Sequence, residues 1–94
     1  VKQGRKIGIL YHPRRPRARA LAEELSRRVA PREGEVWLCP AGGEDVPREQ
    51  IEATRILVAV GGDGTILRAA HISLPHQIPI VGVNLGNLGF LAEL

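Results

Sequence analysis

The order of apolar runs in this 94-residue chain predicts an α/β fold, a parallel sheet with helices on both faces. Strand-like runs alternate with helix-like ones, the pattern that right-handed strand–helix–strand crossovers produce. The strand runs are continuously apolar instead of alternating, as expected for strands buried on both sides. With 44% hydrophobic and 24% charged residues, the composition suits a soluble globular protein. Aromatic residues make up only 3%, so the core is expected to consist of Val, Ile, Leu and Ala.

The elements follow in order. Residues 5–11, "RKIGILY", form a short apolar strand ended by His12-Pro13. Beyond it, Ala18, Leu21, Ala22, Leu25 and Val29 recur at helical spacing, with Pro31 and Gly34 expected to close the helix. Glu23 with Arg27, and Glu24 with Arg28, stand four apart with the acid first, the better orientation for a helical ion pair. Residues 35–40, "EVWLCP", are a second strand, and 47–53 a short helix beginning on Pro47. Residues 55–60, "RILVAV", are the third strand. A helix is expected over 64–74 with Ile66, Leu67, Ala70 and Leu74 inward, stopped by Pro75. Residues 78–84, "IPIVGVN", are the fourth strand. No repeat or long linker divides the chain, so 1–94 reads as one α/β domain.

Several classes of function are excluded early. No apolar stretch approaches the roughly 18 residues of a membrane span, and no secretory signal opens the chain. The single cysteine, Cys39, forms no internal disulfide and reads as a small hydrophobe, which suits a reducing cytoplasm. The chain contains no Met and opens on Val, so it is expected to be a processed or cut piece. Residues 1–32 carry ten Lys/Arg against two acids, and the remainder three against eight. Such asymmetry suits attraction of a phosphorylated small molecule. Nucleic-acid binding is not expected, because the aromatic residues that stack bases are missing.

In an open α/β sheet, ligands collect beyond the carboxyl ends of the strands. Three segments fall on that edge, "YHPRRP", "GGDGT" and "NLGNLGF". The second places a carboxylate, Asp63, between Gly62 and Gly64 at the tip of a buried strand. Glycines permit positive φ and close approach of backbone to ligand, and amides at a helix N-terminus favour phosphates. Asp63 suits a metal ligand or a base for a hydroxyl; the plainer reading is an N-cap on the helix that follows. A Walker loop is ruled out, since no lysine follows Lys6. The dinucleotide fingerprint G-x-G-x-x-G fails at Leu67.

"VGGDGTILRAA" followed by "IPIVGVNLGNLGFLAEL" resembles the NAD kinase family, the ATP-dependent enzymes that phosphorylate NAD to NADP. The GGDG motif at 61–64 is shared with diacylglycerol and sphingosine kinases, whereas N-L-G-x-x-G-F at 84–90 discriminates the NAD kinases. The resemblance is strong over about 55–94 and weaker over the opening strand and helix. It implies a Rossmann-like N-terminal domain of an NAD kinase-like fold. An Asn-Glu motif and a C-terminal β-rich domain would then lie beyond residue 94, and these 94 residues alone are expected to be inactive.

The same resemblance implies roles for residues. Asp63 is the catalytic acid that receives the proton of the adenosine ribose 2′-hydroxyl. Gly61, Gly62, Gly64 and Thr65 lie against the nucleotide. Arg68 matches a basic nucleotide-binding position, with an ordinary solvent-facing arginine as the rival reading. Gly86 and Gly89 shape the second turn, Phe90 packs beside the adenine or else in the core, and Leu91 completes the motif. Asn84 belongs to the same binding set, although Asn84 and Asn87 read more simply as turn-formers. NAD is the implied substrate, with ATP or polyphosphate as donor. Mg²⁺ or another divalent cation would arrive with the nucleotide, and the full-length protein is expected to be a cytoplasmic homo-oligomer. No metal site is expected in the chain: His12, His71 and His76 read as solvated or capping residues. The rival functions are a lipid or sphingoid kinase and a non-catalytic nucleotide-binding module.

Overall fold

The computed structural model describes residues 5–43, 45–85 and 90–91, with the backbone alone for Glu33, Phe90 and Leu91. Its elements are β1 (Lys6–Tyr11), α1 (Pro16–Glu33), β2 (Val36–Pro40), α2 (Arg48–Glu52), β3 (Thr54–Gly61), α3 (Asp63–Ser73), β4 (Ile80–Asn84) and β5 (Phe90–Leu91). One sheet runs β2-β1-β3-β4-β5. The first four strands are mutually parallel, and β5 is antiparallel to β4. The parallel sheet with helices on both faces is therefore as expected.

Alternation along the strands builds a core on each face. On one, Ile9 and Val60 meet Ala18 and Ala22 of α1. On the other, Leu10, Leu57, Ala59 and Ile80 meet Ile66 and Ala69 of α3. Full burial of each large aliphatic side chain contributes about 1.5–3 kcal/mol. The alanines let the helices approach the sheet closely.

Four expectations need correction. Pro31 does not stop α1, which runs to Glu33; Pro31 lies in the last turn and is exposed. The stop is Gly34 at φ 94°, whose N–H donates to the Ala30 carbonyl, because positive φ is cheap for glycine alone. Second, α3 buries Thr65, Ile66, Ala69 and Ser73, while Leu67 and Leu74 are 60% and 70% exposed. Its buried stripe is rotated by about one residue from the expected one. Apolar residues nearly encircle this helix, so the pattern alone does not choose a face; the small Thr65, Ala69 and Ser73 fit against the sheet. Third, Phe90 and Leu91 lie in a short strand, where a loop was expected. Val83 pairs with Phe90 and Gly82 with Leu91. Fourth, the core is not purely aliphatic.

That fourth correction is Trp37. Its indole lies over Gly8, where a β-carbon would fall 2.2–2.8 Å from ring atoms. The indole N–H donates to Thr54 Oγ1 at 2.9 Å, and Thr54 Oγ1 donates to the Gln50 carbonyl at 2.7 Å. A large aromatic thus enters the core with its polar atom satisfied. Glycine at position 8 is required by space.

On the wet face of α1, Glu24 accepts hydrogen bonds from both Arg28 and Arg27, while Glu23 pairs with Arg19 instead of Arg27. Arg28 first, then Arg27, lowers the Glu24 pKa. The resulting stabilisation is present above the ordinary glutamate range and is lost as pH falls through the lowered value. At so exposed a site it is small and salt-screened.

Gly8→Ala is expected to destabilise the fold by about 1–3 kcal/mol, the usual penalty for overpacking. Urea denaturation followed by circular dichroism measures this; an unchanged midpoint would show that the indole has room to move.

Candidate functional site

The strand order reverses between β1 and β3: the chain leaves β1 for β2 on one side, then builds β3 and β4 on the other. Open sheets part at such a point and leave a crevice beyond the strand ends. Residues 12–15 and 61–64 flank it. The His12 N–H donates to the Val60 carbonyl at 2.9 Å, and the Leu85 N–H to the Gly61 carbonyl at 2.6 Å, so both neighbouring strands grip the end of β3. His12 also accepts the Arg14 N–H at Nδ1, which helps shape the β1–α1 turn.

Asp63 is the first residue of α3, not its N-cap. Gly62 holds the cap position and no side chain caps the helix. Instead the Asp63 carboxylate accepts a 2.6 Å hydrogen bond from Asn84 Nδ2. Asn84 ends β4 and is only 6% exposed. A buried amide from the neighbouring strand therefore orients an exposed carboxylate. Among the described residues one side-chain donor reaches the carboxylate, which leaves acceptor capacity on a group with about four lone-pair sites.

Of the two uses expected of these glycines, positive φ is not the one the structure shows. Among the described residues, positive φ occurs in Gly34, Gly42 and Gln77, and not in this loop. Gly61 is required by packing: a β-carbon would lie 2.5 Å from Thr65 Oγ1 and 2.9 Å from His12 Cβ. Gly62 has φ −115°, open to any residue, and among the described residues beyond its chain neighbours only Arg15 Nη2, at 3.9 Å, comes within 4 Å of its added β-carbon. A β-carbon on Gly64 would meet nothing within 4 Å. Ser or Asp at 62 would cap the helix, and Ala at 64 would favour it by about 1 kcal/mol. The chain forgoes both and leaves backbone bare beside the carboxylate.

The other expected residues divide. Thr65 is buried beneath Gly61. Arg68 is about half-buried on α3 and pairs with the exposed Asp45 at 2.8 Å, linking the helix to the β2–α2 loop. Asn84 acts from a strand, not as a turn residue. Gly86, Gly89 and Asn87, with the side chains of Phe90 and Leu91, lie outside the described residues. His71 is exposed on α3 and His76 follows in the 3₁₀ turn. The link from Asn84 to Asp63 and the approach of Arg15 to Gly62 were missed, because both join residues distant in sequence.

A family profile described as the ATP-NAD kinase N-terminal domain matches residues 43–94. A protein named NAD kinase from Dehalococcoides mccartyi is 44% identical over 90 residues, 96% of this chain and 32% of that protein. The chain belongs to the NAD kinase family. A second NAD kinase, from Moorella thermoacetica, is 38% identical over 98 residues, 95% of this chain and 31% of its own length. A third, from Cutibacterium acnes, reaches 67% identity over 39 residues, 42% of this chain and 12% of that protein. The chain thus spans about a third of the length of the first two relatives. No solved structure matches it. Family membership does not favour the lipid-kinase reading of the shared GGDGT motif.

Gly61→Ala is expected to cost about 1–3 kcal/mol of stability, since Thr65 and the base of His12 must shift. Gly62→Ser should be neutral or stabilising, because serine is a favoured N-cap at this backbone geometry. Thermal unfolding of the two variants separates them; equal losses would contradict the distinction between a packed and an open glycine.

Proposed function

We propose that the full-length protein carrying this segment transfers the γ-phosphoryl group of ATP to the 2′-hydroxyl of the adenosine ribose of NAD, giving NADP. The observation that carries this reading is the Asp63 carboxylate, held by Asn84 at the strand-order reversal beside two bare glycines. Family membership supplies the reaction class; the position of the carboxylate supplies the assignment of its base.

In this reading the ribose hydroxyl donates a hydrogen bond to the Asp63 carboxylate and gives up its proton as its oxygen bonds to the γ-phosphorus. The bond from phosphorus to the ADP oxygen breaks, and ADP leaves. A positioned base of this kind supplies about 10²–10⁴ in rate. The Asn84 amide fixes where the accepting oxygen stands, so the hydroxyl meets it in one orientation. The Thr65 and Ile66 amides are bonded to the Gly62 carbonyl, so it is the Asp63 and Gly64 end of α3 that offers the developing negative charge a dipole of favourable sign. Gly62 and Gly64 let the nucleotide lie close to the backbone, and Gly61 lets the loop pack on Thr65 beneath it.

A divalent cation would screen phosphate charge. Among the described residues no group of three or more His, Cys, Asp and Glu is arranged to hold one. In this reading the ion arrives on the phosphates of ATP, as magnesium commonly does. Among the described residues no helix is long and apolar enough to cross a membrane. These 94 residues hold a single cysteine, Cys39, which supports placing the enzyme in a reducing cytoplasm.

Asp63→Asn in the full-length protein is expected to lower kcat by about 10²–10⁴ with little change in KM for NAD. Asparagine retains a carbonyl oxygen to accept from Asn84, so the fold should persist. Steady-state NADP formation beside a thermal melt measures both. Wild-type turnover in a folded variant would show that Asp63 is not the base.

A further inference from the structure

The β1–α1 turn carries arginines that the reading above leaves unused. Arg14, Arg15 and Arg17 are exposed, and among the described residues none forms an ion pair, whereas Arg19 is engaged by Glu23. One of them differs in position. Arg15 Nη2 stands 3.9 Å from where a β-carbon on Gly62 would lie, and among the described residues beyond its chain neighbours no other atom comes within 4 Å of that point. Arg15 follows β1 and Gly62 follows β3, so the pair faces across the crevice where the strand order reverses.

The backbone beneath Arg15 is held in place. Its N–H donates to the His12 carbonyl, and its own carbonyl accepts the Ala18 and Arg19 N–H groups at the start of α1. The Arg14 N–H bonds to His12 Nδ1, and His12 itself is anchored to Val60 of β3. The guanidinium thus hangs from a turn tied to the strand that carries the GGDG loop. Between Arg15 and that loop, Gly62 leaves space that any larger residue would narrow. Its extended φ gives no conformational reason for glycine.

We propose that Arg15 is a phosphate-binding residue of this site, gripping phosphate oxygens of a nucleotide seated over Gly62. The proposal rests on the nucleotide-binding reading of this edge. A guanidinium presents a rigid fork of N–H donors that matches phosphate oxygens two at a time. Two sources offer that chemistry here, the polyphosphate chain of ATP and the pyrophosphate of NAD. Arg17, two residues along in the first turn of α1, carries the same charge, and no atom of it lies within 4 Å of that Gly62 position.

The test measures binding and turnover in the full-length protein. Calorimetric titration with inorganic tripolyphosphate, ATP and NAD is run on wild type, Arg15→Ala, Arg15→Lys and Arg17→Ala, with NADP formation assayed in parallel. Arg15→Ala is expected to weaken at least one of the three ligands by about 10- to 100-fold, the range for a hydrogen bond to a charged group. Arg15→Lys should restore part of the loss, and Arg17→Ala should stay within about two-fold of wild type. Loss toward tripolyphosphate and ATP assigns the donor phosphates; loss toward NAD alone assigns the dinucleotide. Arg15→Ala binding all three within two-fold overturns the proposal, as does an equal loss in Arg17→Ala, which would mark general charge attraction. Wild type that binds phosphate through Arg15 but forms no NADP would sink the kinase reading and leave the phosphate contact standing. Wild type that binds none of the probes sinks both.

Discussion

The hydrogen bond from Asn84 to Asp63 is the constraint on which this site depends. It joins the end of β4 to the first residue of α3, and it forms because the two strands run parallel with Gly61 opposite Asn84. A shift of one residue in that register would turn Asn84 to the other face of the sheet. The apolar contacts of β3 and β4 with α3 therefore also set the position of the Asp63 carboxylate. Ile66 strengthens the link: a β-carbon on Gly82 would come within 3.1 Å of it, so helix and strand are packed at contact distance.

Around this bond the chain gives up stability it could readily have. A serine at 62 would cap α3 and an alanine at 64 would favour its first turn, yet glycine stands at both positions. Gly61 differs, because Thr65 and His12 exclude any side chain there. The three glycines of one motif thus have two origins, packing beneath the loop and bare backbone above it. The arginines of the β1–α1 turn bring positive charge to the same crevice.

Much of this was legible in the sequence for identifiable reasons. Continuous apolar runs such as "ILVAV", short, rich in β-branched residues and bounded by glycine, suit strands covered on both sides, and their alternation with helices argues for the parallel order. Glycine and acid at the end of such a run then fall on the ligand-binding edge. What escaped was whatever depends on contacts between distant segments. Trp37 is a lone aromatic in sequence, and its fit depends on the missing side chain of Gly8 in the neighbouring strand. The apolar residues of α3 nearly encircle it, so the exposure of Leu67 and Leu74 is decided by the sheet. Pro31 tolerates a last helical turn because the end of α1 is exposed. Asn84 reads as a turn-former until the register brings it to Asp63, 21 positions away.

The central claim is that Asn84 works through Asp63, and a double-mutant cycle tests it most directly. Turnover of NAD to NADP would be measured for the full-length wild type, Asn84→Ala, Asp63→Asn and the double variant, each checked for folding. The account predicts that Asn84→Ala slows the wild type by about ten-fold or more, yet changes little once Asp63 is already asparagine, since groups acting as a unit are non-additive. Equal effects of Asn84→Ala in both backgrounds would show that the two residues act independently and contradict the account.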